Sequence, residues 1–198
     1  LALCSLSLIV CKAGTGIAGV LIIWAAILIQ INSKRFLTFR RILVGFIVLY
    51  IGIVQFGIYN YFSWFITGIL KKDITLSSRT YLWGYALNYV KENLFIGKGT
   101  VEGGRILFIQ TGPTFHSSHS FFLEIIIQGS IFGLITFALI YICSGIHLNK
   151  IRGTKIYGFI LACLIGMLVM YISEGWIYQP LQYMLPVAMF WATYGLPG

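Results

Sequence analysis

Five apolar runs, at residues 17–31, 42–59, 121–146, 156–172 and 176–194, hold one charged side chain between them, Glu124. A soluble helical domain cannot use sequence of this kind, because each of its surface helices needs a polar stripe facing water. Helices that cross a bilayer need the opposite, about 20 predominantly apolar residues each. The whole chain of 198 residues is 59% hydrophobic and 10% charged, against about 25% charged in an average globular domain. Disorder, collagen-like repeats and disulfide-stapled scaffolds are excluded by the same figures. The four cysteines, Cys4, Cys11, Cys143 and Cys163, show neither CxxC pairing nor metal-ligand spacing, and three lie well inside apolar runs. There a cysteine acts as a small hydrophobe, so no disulfide is implied.

The expected fold is therefore all-α: a polytopic transmembrane helical bundle of about five to six spans, forming a single transmembrane domain over residues 1–198. Residues 1–10 read as the remnant of one more span, closed by the break at 11–16 (CKAGTG), and Pro180 and Pro186 make 176–194 the most irregular crossing. The chain starts at Leu1 inside an apolar run without a basic segment before it, which does not fit a signal peptide. The expectation is a C-terminal fragment of a longer membrane protein, inactive without its missing spans.

Net charge is +9, from 14 basic and 5 acidic residues, and the positive charges sit mainly between the apolar runs. That placement speaks for membrane orientation and phosphate-bearing lipid, and nothing else supports nucleic-acid binding. The short segments 32–41 (Lys34, Arg35, Arg40, Arg41) and 147–155 (Lys150, Arg152, Lys155) contain no acid. By the positive-inside rule they are expected to be cytoplasmic. The Lys12 turn, the Glu174 turn and a long loop at 60–118 then fall on the extracytoplasmic side of the inner membrane. Within that loop Ser77 and Ser78 are candidate N-caps for a helix at about 78–93, lying along the membrane surface. Leu82, Ala86 and Val90 share one of its faces, with Tyr81, Trp83, Tyr85 and Tyr89 beside them. The run 97–99 (GKG) ends the helix, and 100–118 is expected to be irregular.

Chemistry concentrates at residues 116–129, HSSHSFFLEIIIQG. An ionisable group at the start of a span is costly without a partner or a role. Here His116 and His119 stand just outside the span and Glu124 about one turn inside. On a helix Ser120 and Glu124 are neighbours, whereas His119 lies about a third of a turn off the Glu124 face. Glu124 can orient a histidine only if the chain bends there. The plainer alternative is that His119 solvates the helix end and Glu124 bonds a neighbouring helix. Arg79, Arg105 and Lys12 all fall on the outer side, where a lipid-linked diphosphate would present its charge, and the planar guanidinium fork suits phosphate. Their plainer role is to snorkel to the interface. Lys71 and Lys72, beside Asp73, read as solvated. The loop aromatics, Trp83 among them, either stack on sugar rings or anchor the interface.

The run 77–99, SSRTYLWGYALNYVKENLFIGKG, followed by 116–133, HSSHSFFLEIIIQGSIFG, resembles the O-antigen ligase and polymerase superfamily of membrane glycan enzymes. The resemblance rests on Arg79, Trp83, Gly97, Gly99, His119, Ser120, Leu123, Glu124, Gly129 and Gly133, in that order and spacing. It is close over about 60–130 and loose elsewhere. It implies metal-independent, inverting glycosyl transfer without a cofactor at the outer face of the cytoplasmic membrane. The donor it implies is an undecaprenyl-diphosphate-linked glycan, and the acceptor is another glycan or lipid A–core. By position, Arg79 would hold the donor diphosphate and His119 would act near the acceptor hydroxyl, with Glu124 in the same catalytic group. Lys12, Arg105, His116 and Trp83 would bind substrate. Lys12 stands where the family more often has Arg, and Cys11 where it more often has Ser.

Two other classes fit some of these features. A transporter fragment would place ionisable groups near the midplane or on repeats, and this chain collects them at one face. A non-catalytic scaffold could bind anionic lipid through a basic, aromatic loop. A metalloprotease has no support, since HExxH is absent.

Overall fold

A computed structural model describes residues 14–32, 37–64, 67–68, 79–99, 117–175 and 181–194. It comprises α1 (Gly14–Asn32), α2 (Phe39–Val54), α3 (Arg79–Glu92), α4 (Phe121–Leu148), α5 (Lys155–Ser173) and α6 (Leu181–Trp191). Short 3-10 turns occupy Ile58–Phe62 and Asn149–Ile151. No strand occurs among the described residues. Phe121–Ile151 and Lys155–Ile172 are each long and apolar enough to cross a bilayer, and Gly19–Gln30 is a shorter apolar helix. On α2 the exposed side chains include Val44, Ile47, Val48, Leu49 and Ile51, a surface suited to hydrocarbon and not to water.

The chain divides into two compact units. One comprises residues 1–44, 138–171 and 178–198. In it α1 approaches α5 closely because two positions on α5 lack side chains. Ile23 and Gln30 fill the space that a Cβ at Gly166 or Gly158 would take, at 2.5 and 2.7 Å respectively. Small residues at such contacts let helix backbones approach in the absence of a hydrophobic driving force between apolar helices. Tyr141 on α4 and Tyr171 on α5, both buried, join their hydroxyls at 2.9 Å.

The other unit comprises residues 45–137 and 172–177. Its core gathers Trp83, Ala86 and Tyr89 of α3, Leu123 and Ile127 of α4, and Ile172 at the end of α5. Phe46, Tyr50, Ile53 and Val54 of α2 pack against that cluster. The helix expected at about 78–93 is found, but it buries Leu82, Trp83, Ala86 and Tyr89 and leaves Tyr81 and Tyr85 exposed. Two of its four ring systems therefore serve as packing, and α3 is held by the start of α4.

The span expected at 121–146 is not one continuous helix. At Ser130 the backbone leaves the helical region (φ 62°, ψ −173°), about 14 Å along the axis from Phe121 at 1.5 Å per residue. A break in an apolar helix frees backbone groups that hydrocarbon cannot satisfy. Here residues 94–99 satisfy them. Lys98 N–H donates to Ile127 C=O at 2.9 Å, Gly99 N–H to Gln128 C=O at 3.0 Å, and Ile131 N–H to Leu94 C=O at 3.0 Å. The approach is possible only without a side chain at Gly97. A Cβ there would collide with Gln128 O and stand 2.7 Å from Gln128 C and 2.8 Å from Ser130 N. The GKG run thus stitches the broken helix as well as following α3.

Candidate functional site

Three segments of the second unit converge: the start of α3 with Arg79, the loop 117–120 leading into α4, and residues 174–175 after α5. The loop is shaped by hydroxyls. Ser120 N–H and Ser118 Oγ lie 3.3 Å apart, Ser118 Oγ donates to Ser120 C=O at 3.2 Å, and His119 N–H donates to Ser117 Oγ at 3.1 Å. Serine side chains of this kind compete with regular structure for backbone groups and favour turns. His119, at the apex, has φ +49°, in the left-handed region that few non-glycine residues occupy. Behind it, Ser120 Oγ and Tyr50 Oη of α2 share a hydrogen bond of 2.9 Å.

Glu124, 3% exposed, is the acceptor that holds this loop. Its Oε1 receives Ser117 Oγ–H at 3.1 Å and Ser118 N–H at 2.5 Å, and its Oε2 receives Gln128 Nε2 at 3.2 Å. A buried carboxylate with three donors is satisfied where an unpartnered one would be prohibitively costly. Glu124 thus bonds the backbone next to His119, at Ser118 N–H.

Arg79 forms an ion pair with Glu174, Nη2 to Oε1 at 3.0 Å, with side-chain exposures of 21% and 11%. Gly175 packs directly on the histidine loop. A Cβ at 175 would stand 2.5 Å from Ser117 Oγ, 3.1 Å from Glu124 Cγ and 3.6 Å from His119 Cα. Arg79 and His119 are therefore brought to one place through residues 174–175. Burial pushes the His119 imidazole below its ordinary value; Arg79 acts in the same direction, and Glu174 and Glu124 oppose it. The group is biased toward the neutral form, which can accept a proton.

Of the residues singled out in the sequence, His119, Arg79 and Glu124 are assembled here. Trp83 belongs to the packing below. At 2% exposure its indole offers no free face to a sugar, because Leu123, Ile127 and Ile172 share its cluster. Lys12, Arg105 and His116 lie outside the described residues. Sequence alone puts Glu174 only in an outer turn, although the chain has just five acids and one beside an apolar span calls for a partner.

A family model described as O-antigen ligase matches residues 1–138. No curated protein and no solved structure matches the chain.

Proposed function

Because the chain belongs to the O-antigen ligase family, we propose that it transfers or polymerises an undecaprenyl-diphosphate-linked oligosaccharide at the outer face of the cytoplasmic membrane. The family carries out ligase- or polymerase-type glycosyl transfer on glycan and lipid-linked substrates. The observation that carries the finer reading is the assembly of Arg79 with the His119 loop, through the ion pair to Glu174 and the packing of Gly175.

In this reading Arg79 binds the donor diphosphate with the paired N–H donors of its guanidinium. Neutral His119 takes the proton of the acceptor hydroxyl as that oxygen attacks the anomeric carbon from the face opposite the diphosphate. The C–O bond to phosphate breaks, both its electrons leave with undecaprenyl diphosphate, and the anomeric configuration inverts without a metal. Arg79 meets the charge that develops on the leaving group, where a preorganised cation is worth most. The base contributes about 10²–10⁴-fold, and the remainder comes from positioning and charge stabilisation. Glu124 acts at one remove, by fixing the backbone on which the imidazole is mounted.

The test is expression of the complete gene in two hosts, one lacking its own polymerase and one lacking its own ligase, with the surface glycan resolved by gel. A ladder of chain lengths identifies a polymerase, and single-unit transfer to lipid A–core a ligase. A His119→Asn protein that inserts normally and still yields wild-type product would overturn the catalytic reading in favour of a non-catalytic, lipid-binding one.

A further inference from the structure

Glu174 lies outside the family match at residues 1–138, yet it is the residue that Arg79 touches. We infer that Glu174 is a positioning residue, which aims the Arg79 guanidinium at the donor diphosphate; the inference rests on the proposed function above.

Three observations carry it. Glu174 is tied closely to the site: it follows the last residue of α5, and its neighbour Gly175 lies so close to Ser117, Glu124 and His119 that a Cβ there would meet all three. Arg79, by contrast, is the first residue of α3 and reaches the site on a long, flexible stem. The pair is joined at one corner, Nη2 to Oε1 at 3.0 Å, whereas a guanidinium carries five donors in a fixed plane. Anchoring one corner to that carboxylate limits where the guanidinium can swing and leaves parallel donors for two phosphate oxygens. Finally, of the two partners the arginine is the more exposed, 21% against 11%, so the face still open to an incoming anion belongs to the cation. Among the described residues, the charged groups that act on His119 are Arg79, Glu174 and Glu124. Removing the Glu174 charge lowers the His119 midpoint directly, because Glu174 opposes burial and Arg79 there; that shift reports the loss of charge, and diphosphate affinity in the folded variant reports the aim of Arg79.

The experiment uses the complete protein in detergent with undecaprenyl diphosphate as the binding probe, and histidine NMR for His119. Glu174→Gln is expected to weaken probe binding about tenfold, roughly the effect of 1.4 kcal/mol, and to lower the His119 titration midpoint. Glu174→Asp keeps the charge but withdraws it by one methylene. It is expected to bind the probe about threefold more weakly with the His119 midpoint near wild type, and it decides the matter if the Gln variant does not fold. Unchanged affinity in a folded Glu174→Asp protein, or equal or tighter binding in Glu174→Gln, overturns the inference. A wild-type protein that neither binds the probe nor transfers glycan overturns the proposed function instead. Normal wild-type binding with insensitive Glu174 variants overturns this inference alone.

Discussion

Replacing Gly97 with Ala tests how the broken helix is held. The new methyl would stand 2.7 Å from Gln128 C and 2.8 Å from Ser130 N, and closer still to Gln128 O. All three are backbone atoms and cannot rotate away as a side-chain tip could. Restoring ordinary contact requires about an ångström of separation. The three bonds joining 94–99 to α4, at 2.9, 3.0 and 3.0 Å, would then lengthen beyond useful reach. Each is worth about 1 kcal/mol net, so the expected loss is about 3 kcal/mol. For a chain of this size that corresponds to a fall of about 6–12 °C in Tm. Gly99→Ala is the matched control. It sits at φ +75° with no described residue near the new methyl, so among the described residues it bears only the left-handed backbone cost of about 1–2 kcal/mol. Thermal unfolding of both variants in the same detergent, followed by gel filtration, makes the comparison. A Gly97→Ala protein no less stable than Gly99→Ala would refute the stitching of the break by this segment.

Activity against pH gives a second check. Burial and Arg79 hold His119 below its ordinary value of 6.5. The neutral base should therefore persist below that pH, and the acid limb of kcat/KM, which reports the free enzyme, should have its midpoint under 6.5. A limb centred above 6.5 would exclude His119 as the base. Glu124→Ala strips the acceptor from Ser117, Ser118 and Gln128. The expected cost is about 3 kcal/mol from three bonds at roughly 1 kcal/mol each, read as lost thermal stability together with lost transfer. Stability equal to wild type would contradict the keystone role. Arg79→Ala leaves Glu174 without this partner in a largely covered position. It should destabilise by about 1–3 kcal/mol, less than a fully buried pair would. The double variant with Glu174→Ala should recover part of that loss in a double-mutant cycle, and strict additivity would show the pair to be uncoupled.

What the sequence revealed was governed by local patterns. The helical spacing over 79–93 pointed to α3, which the structure runs from Arg79 to Glu92; its candidate caps, Ser77 and Ser78, lie outside the described residues. Its buried face was less legible. Trp83 and Tyr89 can belong equally to an interfacial belt or to a core, and only the arrival of Leu123, Ile127 and Ile172 decides between them. His119 and Glu124 stood out because ionisable groups are scarce near apolar runs, and His119 lies before the helix that carries Glu124. The Arg79–Glu174 pair spans 95 positions, a separation over which no spacing rule operates. The break at Ser130 left a faint mark in the Gly129–Ser130 pair, a recognised kink signal. Its stabilising partner, 94–99, came from a separate stretch of chain.

The hydroxyl pair of Tyr141 and Tyr171 has a mechanical meaning for the unit that contains it. Two smooth apolar helices can slide along one another with little change in the contacts they make, since one aliphatic neighbour replaces another. A displacement of one turn, about 5.4 Å, would pull these oxygens apart from their 2.9 Å separation and break their hydrogen bond between two buried side chains. The tyrosines therefore act as a detent between α4 and α5. They set the register in which the two helices come to rest, and replacing both by Phe should leave the helices intact but freer to slip.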